Sequence, residues 1–214
     1  MKKMYLLWFF ILMAILTSGC STSYTTRVDN APGRPTTYND PSTVGPVTGV
    51  GIESQDIVSM TDKMMRDMLR NPILAGQTSP PRIIMDAEYF RNESATRINK
   101  NMITDRLRIE LNRAANGRMI FVGRHYSDMV EKERALKREG IVDPGTVGMT
   151  QKTAGGDYRL GGRIAELDSA VAGTNLTSRY HQISFEMVDL ETGVIVWSGM
   201  YEFKKTAQDD VIYR

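Results

Sequence analysis

Reactive side chains are scarce in this 214-residue chain, which has a single cysteine, Cys20, and two histidines, His125 and His181. One thiol cannot close an intrachain disulfide, and two histidines without a second cysteine do not make a structural zinc set. No GxSxG elbow, no Walker loop and no GxGxxG opening a helix occurs in the sequence, so nothing in it sets up a nucleophile or cradles a phosphate. Carboxylates stand in pairs such as Glu131 with Glu133 or Asp209 with Asp210, as solvated charge usually does. Charge of one sign is lacking too: 27 Lys and Arg against 25 Asp and Glu give a formal charge of +2. That leaves no basic excess of the kind a nucleic acid would require. The sequence therefore predicts no catalytic residue, no metal, no cofactor and no nucleic-acid partner.

What is present begins at the N-terminus. Residues Met1 to Cys20 read MKKMYLLWFFILMAILTSGC. Lys2 and Lys3 form a basic start, Met4 to Leu16 an unbroken apolar run, and Thr17, Ser18 and Gly19 a small-residue site before the cysteine. The apolar run falls short of the ~20 residues that a membrane-spanning helix needs, and the three-part pattern is that of a secretory signal. It resembles the bacterial lipoprotein signal, in which the cysteine becomes the first mature residue and is acylated. That resemblance implies a signal peptide over 1–19, lipidation at Cys20 by palmitate-type chains, and a place on the periplasmic side of the outer membrane. Ser21, rather than the Asp that retains such proteins at the inner membrane, follows the cysteine. Several acyl chains, at about 0.8 kcal/mol per buried methylene, hold a protein where one chain would be marginal. Without Lys2 and Lys3 the basic and acidic residues are equal in number.

Residues 20–51 carry Pro32, Pro35, Pro41 and Pro46 among many Ser, Thr and Gly, with no sustained period. Such a stretch cannot bury enough apolar surface to offset its chain entropy, and it is expected to be a disordered tether. Fully extended it would reach about 100 Å, and its average span would be about 30 Å.

Residues 52–214 are expected to form one globular domain. Ile57, Val58, Thr61, Met64, Met65, Met68 and Leu69 fall at helical spacing over 54–70, with Ser54 or Asp56 as cap and Asn71-Pro72 as stop. The Met stripe is expected to be core filler, not a partner groove. A short strand at 82–89, a helix at 101–116, a strand at 119–122 and a helix from Ser127 or Asp128 to Glu139 follow. Residues 145–156 are expected to be loose, with one short helix around 150–154. Three strands complete the chain: 157–168, 179–189 and 194–203, the last two joined by a turn at Glu191-Thr192-Gly193. Gly161-Gly162 inside the first implies a bulge or a close backbone approach. The fold class is α+β, a single mixed or antiparallel sheet flanked by helices.

Arginine and tyrosine are favoured at interfaces. Arg159, Arg163, Arg179, Tyr180 and His181 gather on two strands expected to be neighbours, and they form the candidate partner-binding patch.

The helix DIVSMTDKMMRDML, the strand GGDYRLGGRI and the terminal hairpin ETGVIVWSG resemble the LpoB family of outer-membrane lipoproteins. The resemblance implies a monomeric binding protein, not an enzyme. Its tethered head would dock on the regulatory domain of a bifunctional class A penicillin-binding protein and stimulate peptidoglycan synthesis. The strand motif is also similar to that of curli-secretion lipoproteins, so a structural or secretion-associated outer-membrane lipoprotein is the alternative.

Overall fold

The three C-terminal strands dominate the architecture and are each 13 residues long. In the computed structural model, which describes residues 38–43, 45, 49–143, 145, 152–170, 172–173 and 175–208, they are β4 (Tyr158–Ala170), β5 (Thr177–Asp189) and β6 (Ile195–Ala207). They pair antiparallel in sequence order. Asp189 closes the β5–β6 turn: its Oδ1 accepts from the backbone N–H groups of Glu191 and Thr192 at 2.9 and 2.7 Å. These bonds, the Thr192 amide foremost, hold the Asp189 carboxyl below its ordinary value.

Three short strands complete the sheet: β1 (Arg82–Ile84), β2 (Phe90–Asn92) and β3 (Ile120–Phe121). Both β1 and β2 run parallel to β4 along its free edge, and β3 adds outside β1. The sheet is therefore mixed, and the α+β expectation is met. The sequence alternation did not reveal β2, which at three residues is too short to show a period.

Strand alternation sends successive side chains to opposite faces. Tyr158, Leu160 and Ile164 on β4 and Ile183, Phe185 and Met187 on β5 point to one face, with Trp197 from β6. That face is covered by α1 (Ser54–Arg70) and α3 (Lys100–Ala115). Met60, Met64 and Met68 from α1 and Ile103, Leu107 and Leu111 from α3 are buried against it. The methionine stripe is thus core, as the spacing predicted, and it also includes Met60. Glu53, and not Ser54 or Asp56 as the spacing suggested, caps helix α1. Its N–H donates to the carboxylate of Asp56, the third helical residue, at 2.8 Å, and its own side chain accepts from the Asp56 N–H. At its far end Asn71 Oδ1 accepts from Ile73 and Leu74, which starts the one-turn α2 (Pro72–Ala75). The remaining helix, α4 (Ser127–Arg138), has no buried residue and packs chiefly on the 3-10 turn Arg124–Tyr126. Residues 152–154, the described end of the short helix expected around 150–154, are not helical; 150 and 151 lie outside the described residues.

The paired glycines produce a close approach, not a bulge. Register between β4 and β5 is unbroken through them, and the irregularity falls instead between Met187 and Val188 on β5. Gly162 lies under Phe90, whose ring stacks on Phe185 at 5.1 Å and 14°. A Cβ at 162 would come within 2.9 Å of the Phe90 ring. Gly199 is confined in the same way, since a Cβ there would meet Trp197 at 2.5 Å and Met64 Sδ at 2.7 Å. Gly161, on the other face, has Tyr89 O as its nearest neighbour at 3.6 Å, an ordinary contact.

Gly162→Ala should therefore cost about 1–3 kcal/mol by overpacking, while Gly161→Ala should change stability by under about 0.5 kcal/mol. Urea unfolding of the two variants side by side checks this, and equal midpoints would contradict the packing described.

Candidate docking face

The face of the sheet turned away from α1 and α3 is made by the other parity: Arg159, Gly161, Arg163, Ala165 and Leu167 on β4, then Tyr180, Gln182, Ser184, Glu186 and Val188 on β5. Met200, Glu202 and Lys204 continue it on β6. A cleft of ≈ 820 Å³ runs across this face, with Tyr89, Arg91 and Arg163 on one side, Gly161 and Ser184 in the floor, and Glu186 and Met200 on the other side. Missing side chains make the depression, since glycine at 161 and serine at 184 leave the backbone low between longer neighbours.

Arg159, Arg163 and Tyr180 stand on this open face. Arg159 is fixed: its Nη2 donates to both Asp86 oxygens at 3.0 and 2.9 Å and to Glu88, and its guanidinium lies 4.5 Å from the Tyr89 ring. Burial works against its charge, but the two carboxylates outweigh it and push the guanidinium above its ordinary value. Arg163 is less confined, with a side chain 60% exposed and, among the described residues, Glu93 at 3.9 Å as its one ion-pair partner. The Tyr180 hydroxyl donates to Glu202 at 2.7 Å, which holds the phenol above its ordinary value.

Arg179 and His181 face the opposite way, into the interior, at 7% and 0% exposure. Their parity is that of Ile183 and Phe185, so the five candidate residues share two strands but not one face. Each has a cross-strand carboxylate: Asp168 is the partner of Arg179, and Glu166 of His181. Arg179 grips Asp168 with Nε at 2.5 Å and Nη2 at 2.7 Å, and this pair holds the Asp168 carboxyl below its usual range.

His181 Nε2 donates to Val50 O at 2.6 Å, and its ring stacks on Phe203 at 4.6 Å. Its Nδ1 lies 3.2 Å from Glu166 Oε1, inside ion-pair range but off the line of a hydrogen bond. Burial pushes the Glu166 carboxyl up; His181, then Arg179 and Thr96, pull it down further, and it ends below its ordinary value. Alongside, Lys205 Nζ donates to Gly51 O at 2.8 Å and to Asp56 at 2.5 Å. Val50 and Gly51, the last residues of the expected tether, are thereby seated in the fold. Cys20 and residues 21–37 lie outside the described residues. So do 209–214.

Sequence reasoning missed Glu166, Val50 and Arg91. A signal existed for the first: Glu166 shares the parity of Leu160 and Ile164, and a carboxylate in a core-facing register demands a partner. Val50 and Arg91 carried no such signal, because each depends on a loop or a three-residue strand.

The family model described as peptidoglycan-synthase activator LpoB matches residues 56–203, from the first turn of α1 into β6. Among solved structures the chain is similar to the LpoB C-terminal domain from Salmonella enterica, at 20% identity and a TM-score of 0.39, covering 69% of this chain and 98% of that one. It is also similar to lipoprotein GNA1162 from Neisseria meningitidis, at 15% identity and TM-score 0.32, covering 62% and 88%. A PelC dodecamer from Paraburkholderia phytofirmans gives 12% identity and TM-score 0.27, covering 59% and 72%. No curated protein matches the chain.

The interior pair generates a pH prediction. The Glu166 carboxyl is held below its unfolded value of about 4.3, so its contribution to stability is complete above that pH. It is lost as pH falls through the lower folded value. Glu166→Gln should therefore flatten the decline of the urea midpoint below about pH 4.5. An acid limb of unchanged slope would show that the carboxylate contributes nothing.

Proposed function

Because the chain belongs to the LpoB family of peptidoglycan-synthase activators, we propose that its head docks on a bifunctional class A penicillin-binding protein and stimulates glycan polymerisation and peptide crosslinking. The observation that carries this reading is the family match over residues 56–203, which reaches from α1 into β6 and so touches every long element of the head. It favours the activator over the secretion-associated alternative. No chemistry is asked of such a protein. A bound head shifts the synthase only as far as it prefers the active conformer over the resting one, and about 1.4 kcal/mol of preference is needed for each tenfold gain.

In this reading Cys20 carries the lipid, residues 1–19 are removed, and 20–51 act as a leash from the outer membrane to the head, a monomer working in the periplasm. Among the described residues no helix is long and apolar enough to cross a membrane. The docking surface is the open sheet face bearing Arg159, Arg163 and Tyr180. Arg179 and His181 support it from the interior, by fixing the register of β4 against β5.

Three measurements test this. A polymerisation assay with the cognate class A synthase should run several-fold faster with the head added; no stimulation would reject the reading. Replacing Arg163 and Tyr180 together by Ala should weaken binding about tenfold or more with little change in unfolding midpoint, and unaltered affinity would remove this face from the interface. Cys20→Ser should move the protein from the membrane pellet to the soluble fraction; continued sedimentation with membranes would reject the lipid anchor.

A further inference from the structure

We infer that the cleft on the open face takes a carboxylate of the docking partner between Arg91 and Arg163, a reading that rests on the docking proposed above and specifies its chemistry. The two arginines are direct Cα partners across the parallel β2–β4 pair. Adjacent strands lie about 4.8 Å apart, so two guanidinium groups rise side by side from one face. Like charges placed opposite one another in a sheet are destabilising, and a fold ordinarily supplies counter-charge.

Arg159, four residues before Arg163, shows what that supply looks like: two carboxylates and an aromatic face surround it. Among the described residues Arg163 has only the exposed carboxylate of Glu93, at 3.9 Å. Among the described residues no carboxylate comes within ion-pair distance of Arg91.

The surroundings favour an incoming group from outside. Gly161 and Ser184 keep the floor beside the arginines low, and both arginines line the same ≈ 820 Å³ cleft. A carboxylate offers two oxygens with about four acceptor sites, enough to receive N–H forks from two guanidinium groups at once. Glu186, the exposed cross-strand partner of Gly161, stands on the far side of the cleft and makes it bipolar. The occupant that fits is an extended segment or loop of the synthase, with an Asp or Glu over the arginine pair and a donor group facing Glu186. Such an arrangement also orients the partner, since reversing the segment would place acid on acid.

The test is binding of the full chain to the purified cognate class A synthase in detergent, measured between about 50 and about 500 mM salt, where screening grows steadily. Arg91→Gln and Arg163→Gln should each weaken binding about tenfold or more. Arg91→Glu with Arg163→Glu should abolish binding, and the Gln variants should show a flatter salt dependence. Their unfolding midpoints should be equal to or above that of the parent, because a like-charge contact has been relieved. Arg91→Lys with Arg163→Lys, which keeps the charge, should retain most of the binding. If the parent binds and the double Glu variant binds equally well, this inference is overturned while the docking reading stands. The inference is also overturned if the double Lys variant binds as poorly as the double Glu variant. If the parent itself does not bind, both fall together.

Discussion

Burial of one face only of a long antiparallel ribbon is the constraint on which this molecule depends. β4, β5 and β6 are far longer than the three strands beside them, and two amphipathic helices cover one of their faces. Hydrophobic burial needs that covered face and makes no demand on the other. The fit on the covered side is tight enough to exclude a methyl group at two positions, Gly162 beneath Phe90 and Gly199 beneath Trp197. The open side is correspondingly free to be polar, charged and concave.

Parity along each strand then assigns every side chain its work. Two neighbours in sequence, Tyr180 and His181, end on opposite faces; one meets solvent and Glu202, the other sits in the core between Val50, Glu166 and Phe203. The buried pair Glu166–His181 and the half-exposed pair Asp168–Arg179 are both in exact cross-strand register. A slip of one residue would break both and turn the core outward. Charge inside this sheet therefore serves alignment, and charge outside it is available for contact. Lys205 and His181 extend the same interior network to the backbone of Val50 and Gly51. The backbone just before α1 is thus held by side chains of the central and outer strands.

Much of this was legible in the amino-acid order. The 3.6-residue spacing of apolar residues marked α1 and α3, and the period of two marked the three long strands, because each runs long enough for its pattern to repeat. The Glu191-Thr192-Gly193 turn was legible for a different reason: its residue types, Thr and Gly, suit a tight reversal. Parity was present but not applied: the alternation of Ile183, Phe185 and Met187 separates Tyr180 from Arg179 and His181, which the candidate patch had grouped together. Strand β2 was not legible in this way. It is three residues long and forms only because β4 offers a free edge beside it, whereas the apolar run at 119–122 had already marked β3.

Local patterns in the chain were enough to set the fold class: an α+β head, poor in reactive groups, with a Met-rich helix and a C-terminal hairpin. Those features reside in runs of neighbouring residues, and local physics suffices to read them. The tertiary structure alone decided which side chains meet. Arg91 stands beside Arg163, Val50 beside His181, and Asp86 beside Arg159, across gaps of seventy residues or more. Such meetings depend on which edge a short strand joins and which face a helix covers, and packing of the whole chain sets both at once.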